Sequence, residues 1–181
     1  PTISNPTVLP TEFMRGGGCF APECTVERWN GNNFETILLS EVKPHDELKS
    51  RNGKTEVKCV VKTKCPGGKA ELIRLGPLRL TAWHPIWNGN TWSFPNTLNS
   101  KSIELCDYVY NLVLHTDHIL FVSGRKVVTL GHGLKDRVVR HQYWGGKVLN
   151  DLENKVGWLS GYIVLDTPLK PRKYIRKPIK K

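Results

Sequence analysis

No stretch of this 181-residue sequence stays apolar for long; the longest aliphatic or aromatic runs are the size of Ile119-Leu120-Phe121-Val122. A membrane-spanning helix needs about 20 apolar residues, so a helical span is excluded. Pro1 to Pro10 lack the basic and apolar regions of a signal peptide. The opening proline reads as the start of a piece of something longer, or of a processed product. No C-x-x-C pair exists among the five cysteines, Cys19, Cys24, Cys59, Cys65 and Cys106. Structural zinc therefore lacks its usual ligand spacing, and an odd count leaves at least one thiol outside any disulfide set. Cys59 and Cys65 pair only if geometry permits. His115 and His118, three apart around Asp117, need not share a face, so neither a metal nor a cofactor is expected. No repeat at solenoid spacing is visible.

Acid is missing from the last fifteen residues, which carry seven Lys and Arg. The formal net charge of +11 thus shrinks to +4 for the rest of the chain. The prolines at 168, 171 and 178 oppose a helix there, so residues 167–181 read as an extended basic tail. Solubility is its plain role; nucleic-acid binding through it is a less favoured alternative. Residues 1–18, with three prolines and a closing Gly16-Gly17-Gly18, read as an upstream linker.

What is present is a succession of short apolar runs and tight turns. Thr25–Trp29 and Phe34–Leu39 flank Asn30-Gly31-Asn32-Asn33, a hairpin signal. Val57, Cys59 and Val61 alternate with Lys58, Val60 and Lys62. Further runs occupy 70–75, 78–83, 104–114, 118–122 and 126–130. The expected fold class is all-β. After Leu130 the pattern loosens; Val148–Val156 is expected to form one short helix, and Trp158–Leu165 a last strand.

Chemistry centres on Gly18-Cys19, a thiol directly after three glycines. Most cysteines in a β protein are small core residues. Here, however, Gly18 leaves its carbonyl unshielded, and a thiol one residue on can attack it through a five-membered ring. The product is a thioester, an N-to-S acyl shift. That step needs a strained peptide, a proton for the departing nitrogen and help for the thiol, only a few per cent of which is ionised at neutral pH. Thr81-Ala82-Trp83-His84 offers a hydroxyl to hold the backbone and an imidazole to donate to the Cys19 nitrogen.

These residues carry a resemblance. GGGCFAPECTV (16–26) resembles the opening block of Hint domains, the fold shared by inteins and the hedgehog autoprocessing domain. LTAWHPIW (80–87) resembles the second block, and VYNLVLHTDHILFVSG (109–124) the late one. The match is nearest to the Vint subgroup, found beside von Willebrand factor A domains. Its signs are Cys59-Val60-Val61-Lys62-Thr63, Gly68-Lys69-Ala70-Glu71-Leu72 and Val128-Thr129-Leu130-Gly131-His132-Gly133. The resemblance implies a Hint-like horseshoe over 19–130, followed by a C-terminal extension over 131–166 packed on it. It implies Cys19, Thr81, His84 and His118 as catalytic residues acting on the Gly18-Cys19 bond. Asn111, Cys106 and Asp107 are auxiliaries; Asn111 stands where inteins often have Asp and cannot act as a base.

Val128-Thr129 occupies roughly the place of the His-Asn pair that ends inteins, so full splicing is not expected. The expected activity is single-turnover self-cleavage. A thioester at Gly18 is resolved by water, a thiol, an amine or an alcohol, releasing the upstream polypeptide. No sterol-binding extension is recognisable. A monomer, a von Willebrand factor A-type domain in the same full-length protein and an intracellular, cytoplasmic setting complete the expectation. The alternatives are a catalytically weak Hint scaffold, or a nucleic-acid platform built on the basic residues and six tryptophans.

Overall fold

The computed structural model describes residues 18–169. The upstream linker to residue 17 and the seven cationic residues of the basic tail lie outside them. The order is β1 (Thr25–Trp29), β2 (Phe34–Leu38), β3 (Glu47–Ser50), β4 (Gly53–Lys64), β5 (Lys69–Leu75), β6 (Leu78–Leu80), β7 (Ile86–Trp87), β8 (Trp92–Ser93), β9 (Lys101–Leu105), β10 (Tyr108–Leu114), β11 (Ile119–Val122), β12 (Arg125–Val128), α1 (Val148–Glu153) and β13 (Tyr162–Leu165). The all-β expectation holds, and the Asn-rich hairpin closes as read. Asn30 Oδ1 accepts from the Asn32 and Asn33 N–H groups at 2.9 and 3.0 Å, and Gly31 takes φ +101°. The helix is shorter than expected and is entered through a π-helical turn over Tyr143–Lys147.

The twelve residues of β4 are the spine. They pair antiparallel with β3 and β10, and parallel with β13. Val60 was expected to face out with Lys58 and Lys62; it is fully buried. The cause is a β-bulge: Val113 pairs with Cys59 but Leu114 with Val57, so one residue of β4 is skipped. A one-residue slip exchanges the faces. Val57 and Val60 therefore join the main core with Phe20, Leu80 and Leu112, whereas Cys59 and Val61 face a second core. There Tyr143, Val148, Leu152, Ile163 and Leu165 from beyond residue 131 pack against β4 and β10. Covered on both faces, β10 is buried at six of its seven positions. Burying each large apolar side chain contributes about 1.5–3 kcal/mol, which binds the C-terminal segment to the sheet.

All five cysteines are buried. None of the six tryptophans is exposed, and several are capped by rings or lysines of the chain itself, as Trp87 is by Trp92 and Lys126. Among the described residues no helix is long and apolar enough to cross a membrane.

The return of the chain into β13 depends on Gly157, at φ +97°, where a Cβ would stand 1.9 Å from the Tyr162 carbonyl oxygen. Gly157→Ala is expected to cost about 2 kcal/mol or more. Gly146→Ala, in open space within the π-helical turn, should change stability by no more than about 1 kcal/mol in either direction. Urea unfolding of the two variants checks the contrast.

Candidate active site

Residues 19–21 are drawn between β6 and β10 as a short extra strand. Phe20 pairs with Leu80 on one side and Tyr110 on the other. The Phe20 and Tyr110 amides exchange bonds of 2.8 and 2.9 Å; Ala21 N–H donates to Arg79 O at 2.9 Å, and Thr81 N–H to Cys19 O at 3.0 Å. This pairing fixes Cys19 against Thr81, the residue after β6. The Cys19 N–H donates to Thr81 Oγ1 at 3.0 Å. On the other flank, Asn111 Nδ2 donates to the Gly18 carbonyl, while its Oδ1 accepts from Leu112 N–H at 2.8 Å. Both ends of the Gly18-Cys19 peptide are therefore held by side chains.

His84 is 2% exposed and stacks on Phe20, with ring centroids 4.2 Å apart. Its Nε2 lies 2.6 Å from the Val128 carbonyl. A carbonyl only accepts, so Nε2 carries the hydrogen and Nδ1 of the neutral ring has the lone pair. Nδ1 has no hydrogen-bond partner and lies against Gly18. The expected donation from His84 to the Cys19 nitrogen is thus not what the resting geometry holds. The amide N–H is itself a donor and goes to Thr81, and the imidazole presents a base. Burial pushes the His84 pKa down to about 4, against an opposing pull from the Val128 and Gly18 backbones. Burial, with a smaller contribution from the nearby Cys106 thiol, pushes Cys19 up to about 12. Cys19 is a protonated thiol, and the Gly18 before it lies against a neutral base.

Of the other expected residues, Cys106 stays near Cys19, whereas Asp107 and His118 do not line the cleft at Gly18. Cys106 sits beside Cys65 and within electrostatic reach of Cys19; accepting from the Cys65 thiol lowers its pKa. Asp107 is exposed, with Oδ1 3.1 Å from where a Cβ of Gly68 would stand. His118 is half-buried, its carbonyl accepting from Thr129 N–H at 3.0 Å, and it is not among the residues lining the cleft at Gly18. Among the described residues no group of three or more His, Cys, Asp or Glu is placed to hold a metal ion.

That cleft, about 220 Å³, is walled by Trp83, Phe94, Trp144, the 128–130 segment and residues 137–141. It contains a residue the sequence left without a role: His132, 7% exposed. The signal was its setting between Gly131 and Gly133, both at positive φ (+73° and +64°). Their N–H groups donate to Trp144 O and Gly145 O, and His132 packs against Gly145.

A family model described as Vint, a Hint-domain, matches residues 18–174. No curated protein matches. Solved structures similar to the chain include a gp41-1 intein (16% identity, 62% of this chain and 99% of that one, TM-score 0.45). They also include a DnaB intein from Synechocystis sp. PCC 6803 (14%, 62% and 99%, 0.45) and a bacterial intein-like domain from Clostridium thermocellum (12%, 61% and 97%, 0.45).

A methyl at Gly18 would meet His84 Nδ1 at 2.1 Å and Cβ at 2.7 Å, so Gly18→Ala must displace a buried ring. If this junction is cleaved, the substitution is expected to slow that cleavage about 100-fold, by analogy with other small misplacements of reacting groups, as timed by gel or mass spectrometry. Unfolded histidine takes a proton near pH 6.5, folded His84 only near 4. The unfolded state therefore binds more protons in that window, and the stability present above pH 6.5 falls as the pH drops toward 4. The loss from His84 is about 3 kcal/mol. Urea midpoints at about pH 7 and pH 4.5 measure it, and equal midpoints contradict a buried neutral ring.

Proposed function

The chain belongs to the Vint family of Hint domains, and we propose that it is an autoprocessing domain that makes a thioester at Gly18-Cys19 and releases the upstream polypeptide without splicing. One observation carries the reading. Thr81 holds the Cys19 N–H, Asn111 holds the Gly18 carbonyl, and the unpartnered Nδ1 of His84 lies against the same peptide.

In the first step the Cys19 sulfur attacks the Gly18 carbonyl carbon, and its proton passes to His84 Nδ1. The carbonyl oxygen becomes negative where Asn111 Nδ2 already donates, so the side chain that cannot be a base serves as an oxyanion donor. The Cys19 nitrogen turns pyramidal and gains a lone pair. It takes the proton from His84 Nδ1 as the C–N bond breaks. A thioester and a free amine remain, and His84 is neutral again. Thr81, bonded to the Cys19 N–H, keeps that nitrogen oriented during the exchange. A low pKa suits His84 to this role, because a weakly basic imidazole returns its proton readily to an amine.

The thioester is then taken by an external nucleophile. Val128-Thr129, in place of His-Asn, offers no side chain to cyclise, so the reaction ends at N-terminal cleavage.

A fusion carrying a reporter upstream of Gly18 tests this. Dithiothreitol should release the reporter from the native sequence and not from Cys19→Ala; equal release from both refutes the mechanism. Asn111→Ala should slow release about 100-fold, the cost of one oxyanion donor. Val128→Ala, which keeps the carbonyl that His84 uses, should leave the rate within about threefold, the effect of a small side-chain change.

A further inference from the structure

The first acyl step is internal to the chain and uses Cys19, Thr81, His84 and Asn111. The cleft beside Gly18 contains more than that step requires. His132 Nδ1 accepts from Leu134 N–H at 2.9 Å, so the neutral ring carries its hydrogen on Nε2. That N–H has no partner among the described residues, although the residue is 93% buried and lines the cleft. On the cleft lining, that donor is open to a bound molecule that supplies the acceptor. At the mouth stand Arg137 and Arg140, both exposed. Neither is paired with a carboxylate among the described residues; the neighbouring Asp136 caps Val138 N–H at 2.9 Å instead. The walls are aromatic, and about 220 Å³ is below the roughly 300–1,000 Å³ of pockets for drug-sized ligands. The space fits a small molecule.

We propose that this cleft is the acyl-acceptor site and that it selects a small nucleophile bearing an anionic group, drawn in by Arg137 and Arg140 and hydrogen-bonded by His132 Nε2. The proposal rests on thioester formation at Gly18-Cys19. For a thiol acceptor, its sulfur bonds to the Gly18 carbonyl carbon and its proton passes to His84 Nδ1. The bond to the Cys19 sulfur breaks, that sulfur keeps the electron pair, and it takes the proton from His84. No oxidation or reduction occurs, and water is the competing acceptor.

Three thiols of similar size and different charge test the selection on the full chain with an upstream reporter: 2-mercaptoethanesulfonate, 2-mercaptoethanol and cysteamine. They are compared at equal thiolate concentration. Each rate is divided by the release rate with hydroxylamine for the same protein, so that damage to the fold or to thioester formation cancels. The anionic thiol should outpace the cationic one about tenfold at low salt, a ratio that falls as salt screens the arginines. In the double variant Arg137→Glu, Arg140→Glu the order should reverse. His132→Ala should raise the concentration of 2-mercaptoethanesulfonate needed for half-maximal release about fivefold, roughly the effect of one hydrogen bond. A charge ratio equal in the native and double-variant proteins overturns the acceptor site alone. No release with any thiol or with hydroxylamine overturns the thioester reading, and this proposal with it.

Discussion

The antiparallel capture of Phe20 between Leu80 and Tyr110 is the constraint on which the junction depends. Once that pairing is set, the remaining contacts are fixed by register. Thr81 comes directly after Leu80, so its hydroxyl meets the Cys19 N–H. Asn111 comes directly after Tyr110, so its amide meets the Gly18 carbonyl. A slip of one residue would turn both side chains to the wrong face. The main-chain bonds of residues 19–21 and the full burial of Phe20 resist that slip. The reactive peptide is positioned by sheet formation itself, with no loop closure to wait for.

Burial has opposite effects on the two groups that exchange the proton in the proposed reaction, and both effects suit it. Desolvation holds the Cys19 thiol protonated, with a pKa near 12, so the resting protein does not present a thiolate. It also holds His84 neutral, near 4, so that a lone pair faces the peptide at any ordinary pH. Ionising either group alone in this environment is unfavourable, whereas moving one proton between them as the sulfur adds to the carbonyl develops little isolated charge. In the proposed reaction the negative charge appears on the Gly18 oxygen, where the Asn111 donor already stands. For that reaction the site would be quiet as an acid yet already arranged around the developing charge.

Much of this was legible in the chain. The Asn-rich hairpin, the all-β class and the terminal strand were visible as local patterns. Gly18-Cys19 stood out because the glycine leaves its carbonyl unshielded to a thiol one residue on. Three features were not legible, each for a non-local reason. Val60 is buried because a bulge opposite Leu114 switches the face of β4, and the partner strand lies some fifty residues away. The proton on His84 is set by a carbonyl forty-four residues on, at Val128, so a T-x-x-H motif says nothing about which nitrogen is the base. His132 gained its position only when the Gly131-to-Gly133 turn docked on Trp144 and Gly145. Its flanking glycines marked a turn but not what the turn faced.

The segment after β12 therefore belongs to the site as much as to the second core. Val128 fixes the His84 tautomer through its carbonyl. Leu130 then bridges to Val113 in parallel and donates from its N–H to Leu112 O, which clamps the chain along β10 beside Asn111. His84 and Asn111, the base and oxyanion donor of the proposed reaction, are consequently braced by one stretch of three residues. Residues between His132 and Trp144 line the cleft that His84 also lines, and the segment is anchored by Tyr143, Val148 and Leu152 packing on β4 and β10. Loosening that distant packing would hydrate His84, let its pKa rise toward 6.5, and weaken the electrostatic match at the peptide. In the proposed reaction the extension would act through desolvation, and a stretch with little regular pattern in sequence is held by a core of its own.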